Sequence, residues 1–308
     1  MKTMEIDFQI ASGLAAVSDI RLEGPKLDRR KLFRQAGMFG LGAAVAGLAL
    51  KGTQARAQAN TYQVSDTVAE MFTAFLIAED LATTFYYNGL IGGVIQDPNL
   101  AGPGGSATHV TGKGQADNVQ YLQAALVQEN DHATYFRKLL TGSGLGGAND
   151  PYQSFYFPAG TFDTLAGFLP ILNALENAFI GAYLTLIQEL AYKAAAAQTG
   201  KLSGGDAKYS AKEYTSFAAV AASILGVESE HRVLGRVIGD ERPANNLIYE
   251  QTDGLTSIYN GPNSAVVALT PFLGPSANFT VQTSLATAQA NIQKVVLSIG
   301  TSGAAPTL

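Results

Sequence analysis

The chain of 308 residues contains no cysteine. Without thiols it can form no disulfide, zinc ribbon or iron–sulfur cluster, and any bound iron must be held by oxygen and nitrogen ligands. Charged residues make up only 15% of the chain and the formal net charge is −5, so no basic face for nucleic acid is expected. With 47% hydrophobic residues, we expect a soluble protein with an ample core and no nucleic-acid partner.

Histidine is also scarce, with three in the chain. His109 lies in a Gly-rich segment that has no Gly-x-Ser-x-Gly turn, so the sequence does not indicate a Ser/His/Asp hydrolase. We interpret His109 as a solvent-exposed loop residue rather than a functional one. The other two histidines, His132 and His231, each follow a glutamate by three residues.

The pattern Glu-x-x-His occurs in Glu129 with His132 and again in Glu228 with His231. In a helix this spacing places a carboxylate and an imidazole on one face, aimed at one point. Two such pairs are improbable by chance against ordinary composition. Two further glutamates in apolar stretches each precede one pair by about fifty residues, which gives the ligand order of a carboxylate-bridged di-metal centre in a four-helix bundle. The full set is Glu79, Glu129, His132, Glu176, Glu228 and His231.

All six of these residues fall within the apolar stripe of a predicted helix, not opposite it. A buried carboxylate needs a cation, a proton or a hydrogen-bond partner, so four inward-facing glutamates with two histidines indicate a metal site. The stripes contain Phe72, Phe75, Ala82 and Tyr86; Leu122, Leu126 and Phe136; Leu169, Leu172, Phe179 and Tyr183; and Ala221 and Leu225.

Capping residues divide the chain into four long helices, so we predict an all-α four-helix bundle. The helices are predicted from 65–67 to 88–89, from 114 to 141–142, from 161–163 to 199–200 and from 210 to 238–239, and each ends in glycine. Ser210 and Glu213 form a predicted capping box. Pro170 either kinks the third helix or lies in the first turn of a helix that starts there.

Two connections, 89–112 and 142–160, are longer than usual, and the second is a candidate for the long crossover between helix pairs. Arg-Pro-Ala-Asn-Asn at 242–246 interrupts the helical region, and 283–299 is predicted to form a terminal helix. We therefore predict a bundle domain over 60–240 and a C-terminal extension over 241–308. We expect the extension to pack on the bundle because it has apolar residues that need burial. These are Val266, Val267, Leu269, Phe272 and Leu273.

Residues 1–59 are typical of a twin-arginine export signal. Arg29 and Arg30 precede an apolar run over 36–50, and Ala-x-Ala cleavage sites follow at 55–57 and 57–59. The apolar run is about 15 residues, shorter than the roughly 20 that span a bilayer, so we expect no permanent membrane span. The alternative, an amphipathic helix with a basic start, does not explain the Ala-x-Ala sites. We therefore expect a periplasmic or extracellular protein.

The ligand pattern resembles the ferritin-like superfamily, as in bacterioferritins and rubrerythrins, over about residues 66–239. More narrowly, the export signal, the bundle and the Arg-Pro-Ala-Asn-Asn stretch resemble exported bacterial ferritin-like proteins related to plant desiccation-related proteins. The long Gly-rich connections and the C-terminal extension depart from true ferritins, so we do not expect their 24-subunit iron-storing cage, and a homo-oligomer remains an alternative to a monomer. The absence of cysteine excludes the rubredoxin-like domain of rubrerythrins. The resemblance implies terminal ligation by Glu79 and Glu176, bridging by Glu129 and Glu228, and one histidine per metal from His132 and His231.

The chemistry of this ligand set suits iron, with manganese as the alternative, because both accept mixed oxygen and nitrogen ligands. Our leading hypothesis is an exported di-iron protein that oxidises Fe(II) with peroxide or dioxygen, like a ferroxidase or peroxidase. The alternative is a non-enzymatic protein for stress or desiccation protection, or for the envelope structure, in which the metals brace the bundle. Tyr86 and Tyr183 follow Glu79 and Glu176 by seven residues. We interpret them as core aromatics, with hydrogen bonding to the site or a redox role as the alternative.

The export signal can be tested directly. Replacing Arg29 and Arg30 together by Lys should leave the precursor in the cytoplasm, because the export pathway reads the arginine pair. Fractionation of cells that express wild type and the double variant measures this, and amino-terminal sequencing of exported wild type should place the mature amino terminus near Ala57 to Asn60. Exported protein that still began before Arg29 would refute cleavage.

Overall fold

The structure is a computed structural model and describes residues 66–95, 97, 115–144, 146 and 150–299. The predicted export signal over 1–59 and the loop residue His109 lie outside these residues, so both interpretations stay predictions. The division into three domains likewise stays a prediction.

Four long helices make up most of the described chain, and they confirm the all-α fold class. They are α1 (Val68–Ile91), α2 (Gln115–Thr141), α3 (Leu165–Gln198) and α4 (Ala211–Ile238). Helix α1 packs along α2 and α3 packs along α4. The two pairs meet through contacts of α1 with α3 and of α2 with α4. The chain passes from one pair to the other between α2 and α3, at the predicted crossover.

The helix ends show which capping signals the chain uses. Thr67 caps α1 in a capping box with Glu70, and Ser210 caps α4 in the predicted box with Glu213. Helix α1 continues to Ile91, two residues past the predicted end near Asn88-Gly89. At Gly89 a Cβ would lie 2.4 Å from a ring carbon of Phe168, so glycine is needed there for close helix packing and not for termination.

Pro170 lies inside α3, five residues after its first residue. The helix begins at Leu165 behind an N-cap at Thr164, whose hydroxyl accepts a hydrogen bond from the amide of Gly167. A helix start at Pro170 is therefore wrong. Its ring nitrogen has no hydrogen to donate to the carbonyl of Ala166, so α3 lacks one backbone hydrogen bond in its second turn.

A short antiparallel ladder joins the crossover to the C-terminal extension. Strand β1 (Ser154–Phe157) pairs with β2 (Val281–Ser284), with Ser154 opposite Ser284 and Phe157 opposite Val281. Phe155 and Phe157 alternate towards the core and are fully buried. We did not expect strands from the sequence, because four residues carry too little pattern to distinguish a strand from an aromatic loop.

The C-terminal extension contains two helices, α5 (Ala265–Leu269) and α6 (Leu285–Ile299), and α6 contacts both α1 and α2. Leu269 and Phe272 are buried as expected, but Val267 is 48% exposed. The expectation of burial for Val267 is wrong because Ala265 and Leu269, at i and i+4, occupy the inward face of α5.

Polar contacts also hold this extension against the bundle. The Asp66 carboxylate accepts hydrogen bonds from the backbone amides of Ile258, Tyr259 and Asn260. Further along, Arg232 of α4 forms an ion pair with Glu250. The extension is thus tied to the start of α1 and to α4 by charged groups as well as by apolar packing.

The apolar core is divided into two clusters along the helices. In α2 the first cluster ends at Leu126 and the second begins at Ala133. In α4 the second cluster reaches Ile224 and the first resumes at Ile238. The Glu-x-x-His pairs lie in both gaps, so the bundle has a polar layer between two apolar ones.

Helix α3 is, within the described residues, the one helix long and apolar enough to cross a membrane by length and composition. However, 56% of its apolar stretch is buried inside the protein, and the helix carries the buried carboxylate Glu176. We interpret α3 as a core helix of the bundle.

Candidate metal centre

The structure brings all six predicted site residues together in the polar layer. Each helix contributes to the set: α1 and α3 one glutamate each, α2 and α4 one Glu-x-x-His pair each. Five of the six side chains are buried, with relative exposures of 0–2%, and the His132 side chain is 11% exposed. The set is Glu79, Glu129, His132, Glu176, Glu228 and His231.

These residues form two overlapping groups, each with four ligand atoms within 4.8 Å of one another. Glu129 and Glu228 belong to both groups. We call the group completed by Glu79 and His132 position A, and the group completed by Glu176 and His231 position B. The sharing of two carboxylates between two groups is the arrangement that two bridging ligands require.

Distances within position A fit ligands around one ion. The Nδ1 atom of His132 lies 3.4 Å from Glu79 Oε2 and 3.2 Å from Glu228 Oε1. Ligand atoms at about 2.0–2.2 Å from an ion, seen from it at right angles, are about 3 Å apart.

Position B has the same spacing. Its histidine, His231, places Nδ1 2.9 Å from Glu129 Oε1, 3.4 Å from Glu228 Oε2 and 3.9 Å from Glu176 Oε1. Both imidazoles therefore face their carboxylates with Nδ1, the atom each would offer to an ion.

The strongest sign that cations belong here is a set of buried atoms without hydrogen bonds. Among the described residues, eight ligand atoms of the site are buried and make none. Leaving such atoms uncompensated is expensive, particularly for carboxylate oxygens. Two cations would satisfy all eight, so the residues present fit a pair of metal ions. The atoms are Glu79 Oε2, Glu176 Oε2, both oxygens of Glu129 and of Glu228, and Nδ1 of His132 and of His231.

Two tyrosines hold the terminal carboxylates across the bundle. The hydroxyl of Tyr86 in α1 donates a hydrogen bond of 2.5 Å to Glu176 Oε1 in α3. In the reverse direction, the hydroxyl of Tyr183 in α3 donates to Glu79 Oε1 in α1. Our first interpretation of these rings as core aromatics was incomplete, because each also fixes a site carboxylate. At Glu79 the second oxygen, Oε2, lies 3.4 Å from His132 Nδ1 in position A, whereas at Glu176 the tyrosine-bound Oε1 itself lies 3.9 Å from His231 Nδ1 in position B.

Gln128 is a site residue that the sequence analysis missed. Its Oε1 lies 2.8 Å from Nε2 of His231, so the imidazole donates to it from Nε2 and leaves Nδ1 as the nitrogen available to a metal. Gln128 directly precedes Glu129, and this adjacency to a Glu-x-x-His pair is the sequence signal that could have found it.

A buried arginine supports the other end of the polar layer. Arg137 of α2 donates to Asp80 of α1 at 2.7 Å and to Asp150 of the crossover at 2.8 Å. Burial raises the pKa of Asp80 to about 8, although the charge of Arg137 opposes this. Asp80 directly follows Glu79 in an apolar helix, so the sequence could have indicated that this charge is buried. It could not indicate that Arg137 is the partner of Asp80.

Proton affinities in the site reflect the concentration of negative charge. Burial and repulsion by Glu228 raise the pKa of both Glu79 and Glu176 well above the usual value. Burial alone would lower the pKa of each histidine, but the neighbouring carboxylates raise it well above 6.5. Without metal, these two carboxyls and two imidazoles therefore hold protons to higher pH than they would in the unfolded chain.

Glu129 differs from the terminal carboxylates. Burial would raise its pKa, but attraction to the His231 imidazolium lowers the pKa below its ordinary range. A carboxylate that stays ionised between two positive groups is suited to bridge two cations.

Comparison with known proteins agrees with a helical bundle of the ferritin-like type. Residues 67–212 match the sequence model of a family described as "Ferritin-like domain". No match was found among curated proteins or among solved structures. Together with the all-α bundle, the family match supports a ferritin-like domain in this part of the chain. The match ends at the start of α4, so Glu228 and His231 are placed in the site by the structure and not by the family match.

The retained protons lead to a prediction about stability. A group with a higher pKa in the folded than in the unfolded chain stabilises the fold less as the pH rises. In the unfolded chain the ordinary pKa is 4.5 for these carboxyls and 6.5 for these imidazoles. Both groups therefore make metal-free protein less stable as the pH rises above these values. Metal displaces the protons, so the gain in melting temperature on adding Mn(II) should be larger at high pH.

Calorimetry at about pH 6 and about pH 8, with chelator and with Mn(II), measures this. The matched control is Glu79→Gln with Glu176→Gln, which cannot lose those protons and should show a weaker pH dependence in chelator. A melting temperature of metal-free wild type that rose between these pH values would contradict the prediction.

Proposed function

We propose that this protein holds two iron ions and oxidises Fe(II) with peroxide or dioxygen. The observation that supports the proposal most directly is the set of eight buried ligand atoms, which form two groups of four and share Glu129 and Glu228. Manganese is the alternative metal, because it accepts the same oxygen and nitrogen ligands.

Charge balance favours a pair of divalent ions over one. Four carboxylates carry four negative charges, which two divalent ions neutralise, and a further positive charge on each ion is tolerated by carboxylates that change their binding mode. A bound iron pair supplies two electrons, one from each ion, which together with two protons reduce one peroxide to two waters. A structural zinc site, by contrast, prefers tetrahedral sulfur and nitrogen ligands.

The protein's own residues would bind, orient and protect this pair. Glu129 and Glu228 face both positions and would hold cations about 3.5–4 Å apart. Tyr86 and Tyr183 fix the terminal carboxylates and stay protonated, because burial and the nearby carboxylates raise the pKa of both phenols. The apolar clusters above and below exclude bulk water. His132 is the most exposed of the six ligands, so its side is where a small oxidant would enter.

We also propose that the protein works outside the cytoplasm, in the periplasm or beyond, as an exported relative of desiccation-related ferritin-like proteins. The supporting observations are the Arg29-Arg30 pair, the short apolar run and the Ala-x-Ala sites. The twin-arginine route exports proteins that are already folded, so the bundle could receive its metals in the cytoplasm before export. In that location it would remove peroxide and Fe(II) together under oxidative stress.

The second candidate is a non-enzymatic role in stress or desiccation protection, or in the envelope, with the metals as a brace. The observation that favours it is the position of the site at the junction of all four helices, where any cation pair would stabilise the bundle. Both candidate functions use the same six ligands. They differ in whether the bound Fe(II) is oxidised by peroxide or dioxygen.

Anaerobic loading with Fe(II) followed by peroxide separates them. We expect two Fe(II) to disappear per peroxide consumed, measured with a ferrous-specific chelator. His132→Ala combined with His231→Ala should abolish the reaction while circular dichroism shows the helices intact, since bundle stability comes mainly from the apolar clusters. The control is His109→Ala, which should react as wild type does. Wild type that kept two ferrous ions through many equivalents of peroxide and dioxygen would support the bracing role instead.

A further inference from the structure

We infer that Gln128 makes the two metal positions unequal, so that position B binds its ion more tightly and fills before position A. The inference rests on the proposed di-metal centre and adds to it an order of binding and the residue that sets this order. Gln128 acts through His231 and is therefore a positioning residue.

The first step is the geometry at Nε2 of His231. The 2.8 Å contact joins this nitrogen to Gln128 Oε1, and an amide oxygen can only accept a hydrogen bond. Nε2 therefore keeps its hydrogen, and a metal that displaces the proton from Nδ1 meets a lone pair on that nitrogen. That nitrogen lies 2.9 Å from Glu129 Oε1, inside position B. The histidine of position B is held in the tautomer and orientation that a metal ligand needs.

The second step is that position A lacks this arrangement by sequence. The two Glu-x-x-His pairs are internal repeats, and the residue before each pair occupies the same place on α2 and on α4. On α2 this residue is Gln128, while on α4 it is Val227. Valine has no side-chain atom that accepts a hydrogen bond, so it cannot do for His132 what Gln128 does for His231.

Solvent exposure acts in the same direction. The His132 side chain is 11% exposed, whereas that of His231 is 1% exposed. Water therefore competes for the imidazole of position A and permits it more orientations. The imidazole of position B is already ordered, so it loses little conformational entropy when a metal binds.

Position B is also braced by an aromatic ring. Tyr86, whose hydroxyl holds Glu176, packs its ring edge-on against the His231 imidazole at 5.6 Å between centroids. One side chain thus supports both ligands that belong to position B alone. At position A, Tyr183 holds Glu79 in the equivalent way.

Titration of metal-free protein with Mn(II) under anaerobic conditions tests the order. Calorimetry gives the affinity of each step, and electron paramagnetic resonance distinguishes a single bound ion from a coupled pair. In wild type we expect two steps, with mainly single-ion signal up to one equivalent. In Gln128→Leu the tighter step should weaken about 10- to 100-fold, the usual effect of removing such a hydrogen-bond partner.

Two matched variants complete the design. Gln128→Glu keeps an acceptor oxygen and should keep two separate steps. Val227→Gln supplies the missing acceptor on α4 and should tighten the weaker step, bringing the two affinities together. Thermal melting of each metal-free variant shows whether a change in affinity reflects loss of the fold, and Val227→Gln keeps the test decisive if Gln128→Leu does not fold.

The outcomes separate this inference from the proposal on which it rests. Two equal steps in wild type, or a Gln128→Leu variant with both steps unchanged or equally weakened, would overturn the unequal positions while leaving the di-metal centre intact. Wild type that bound no Mn(II) and no Fe(II) would overturn both.

Discussion

Four carboxylates buried in the middle of a helical bundle impose the constraint on which the rest of this structure depends. An ionised carboxylate removed from water without compensation costs more than local apolar packing returns. The protein compensates the outer carboxylates, Glu79 and Glu176, with one tyrosine hydroxyl each across the bundle. The remaining buried oxygens and the two imidazole Nδ1 atoms make no hydrogen bond, so only protons or cations can stabilise them. The apolar clusters on either side keep water out, so water cannot solvate these carboxylates in place of a cation.

The parts of this arrangement that could be predicted from sequence are those set by local geometry. Helix periodicity places Glu129 with His132, and Glu228 with His231, on one face, and capping residues such as Ser210 mark where helices begin. Contacts between helices could not be predicted, because they depend on how the helices pack. The exchange of tyrosine hydroxyls, the bond from His231 to Gln128 and the pairing of Arg137 with Asp80 and Asp150 all join residues from different elements. The close approach of Gly89 in α1 to Phe168 in α3 is of the same kind.

The site is built from two similar halves, each with one glutamate, one tyrosine and one Glu-x-x-His pair. The differences between the halves indicate how the two metal positions differ. The halves agree in the glutamates, the histidines and the tyrosines, which is why the two positions share a common ligand chemistry. They differ at Gln128 and Val227 and in the exposure of their histidines. The position beside His231 is therefore the more buried one and has the additional support of Gln128, while the position beside His132 is nearer to solvent. The C-terminal extension, bound through Arg232 and Glu250, then stabilises the helix that supplies His231.

The central claim is that two metal ions lie between these four helices, bridged by Glu129 and Glu228. Diffraction from crystals grown with Mn(II), recorded on both sides of the manganese absorption edge, tests it most directly, because anomalous scattering locates each ion without reference to activity. The account predicts two peaks about 3.5–4 Å apart, one beside His132 and one beside His231. A single peak, peaks elsewhere on the chain, or none in crystals with Mn(II) in excess would contradict it.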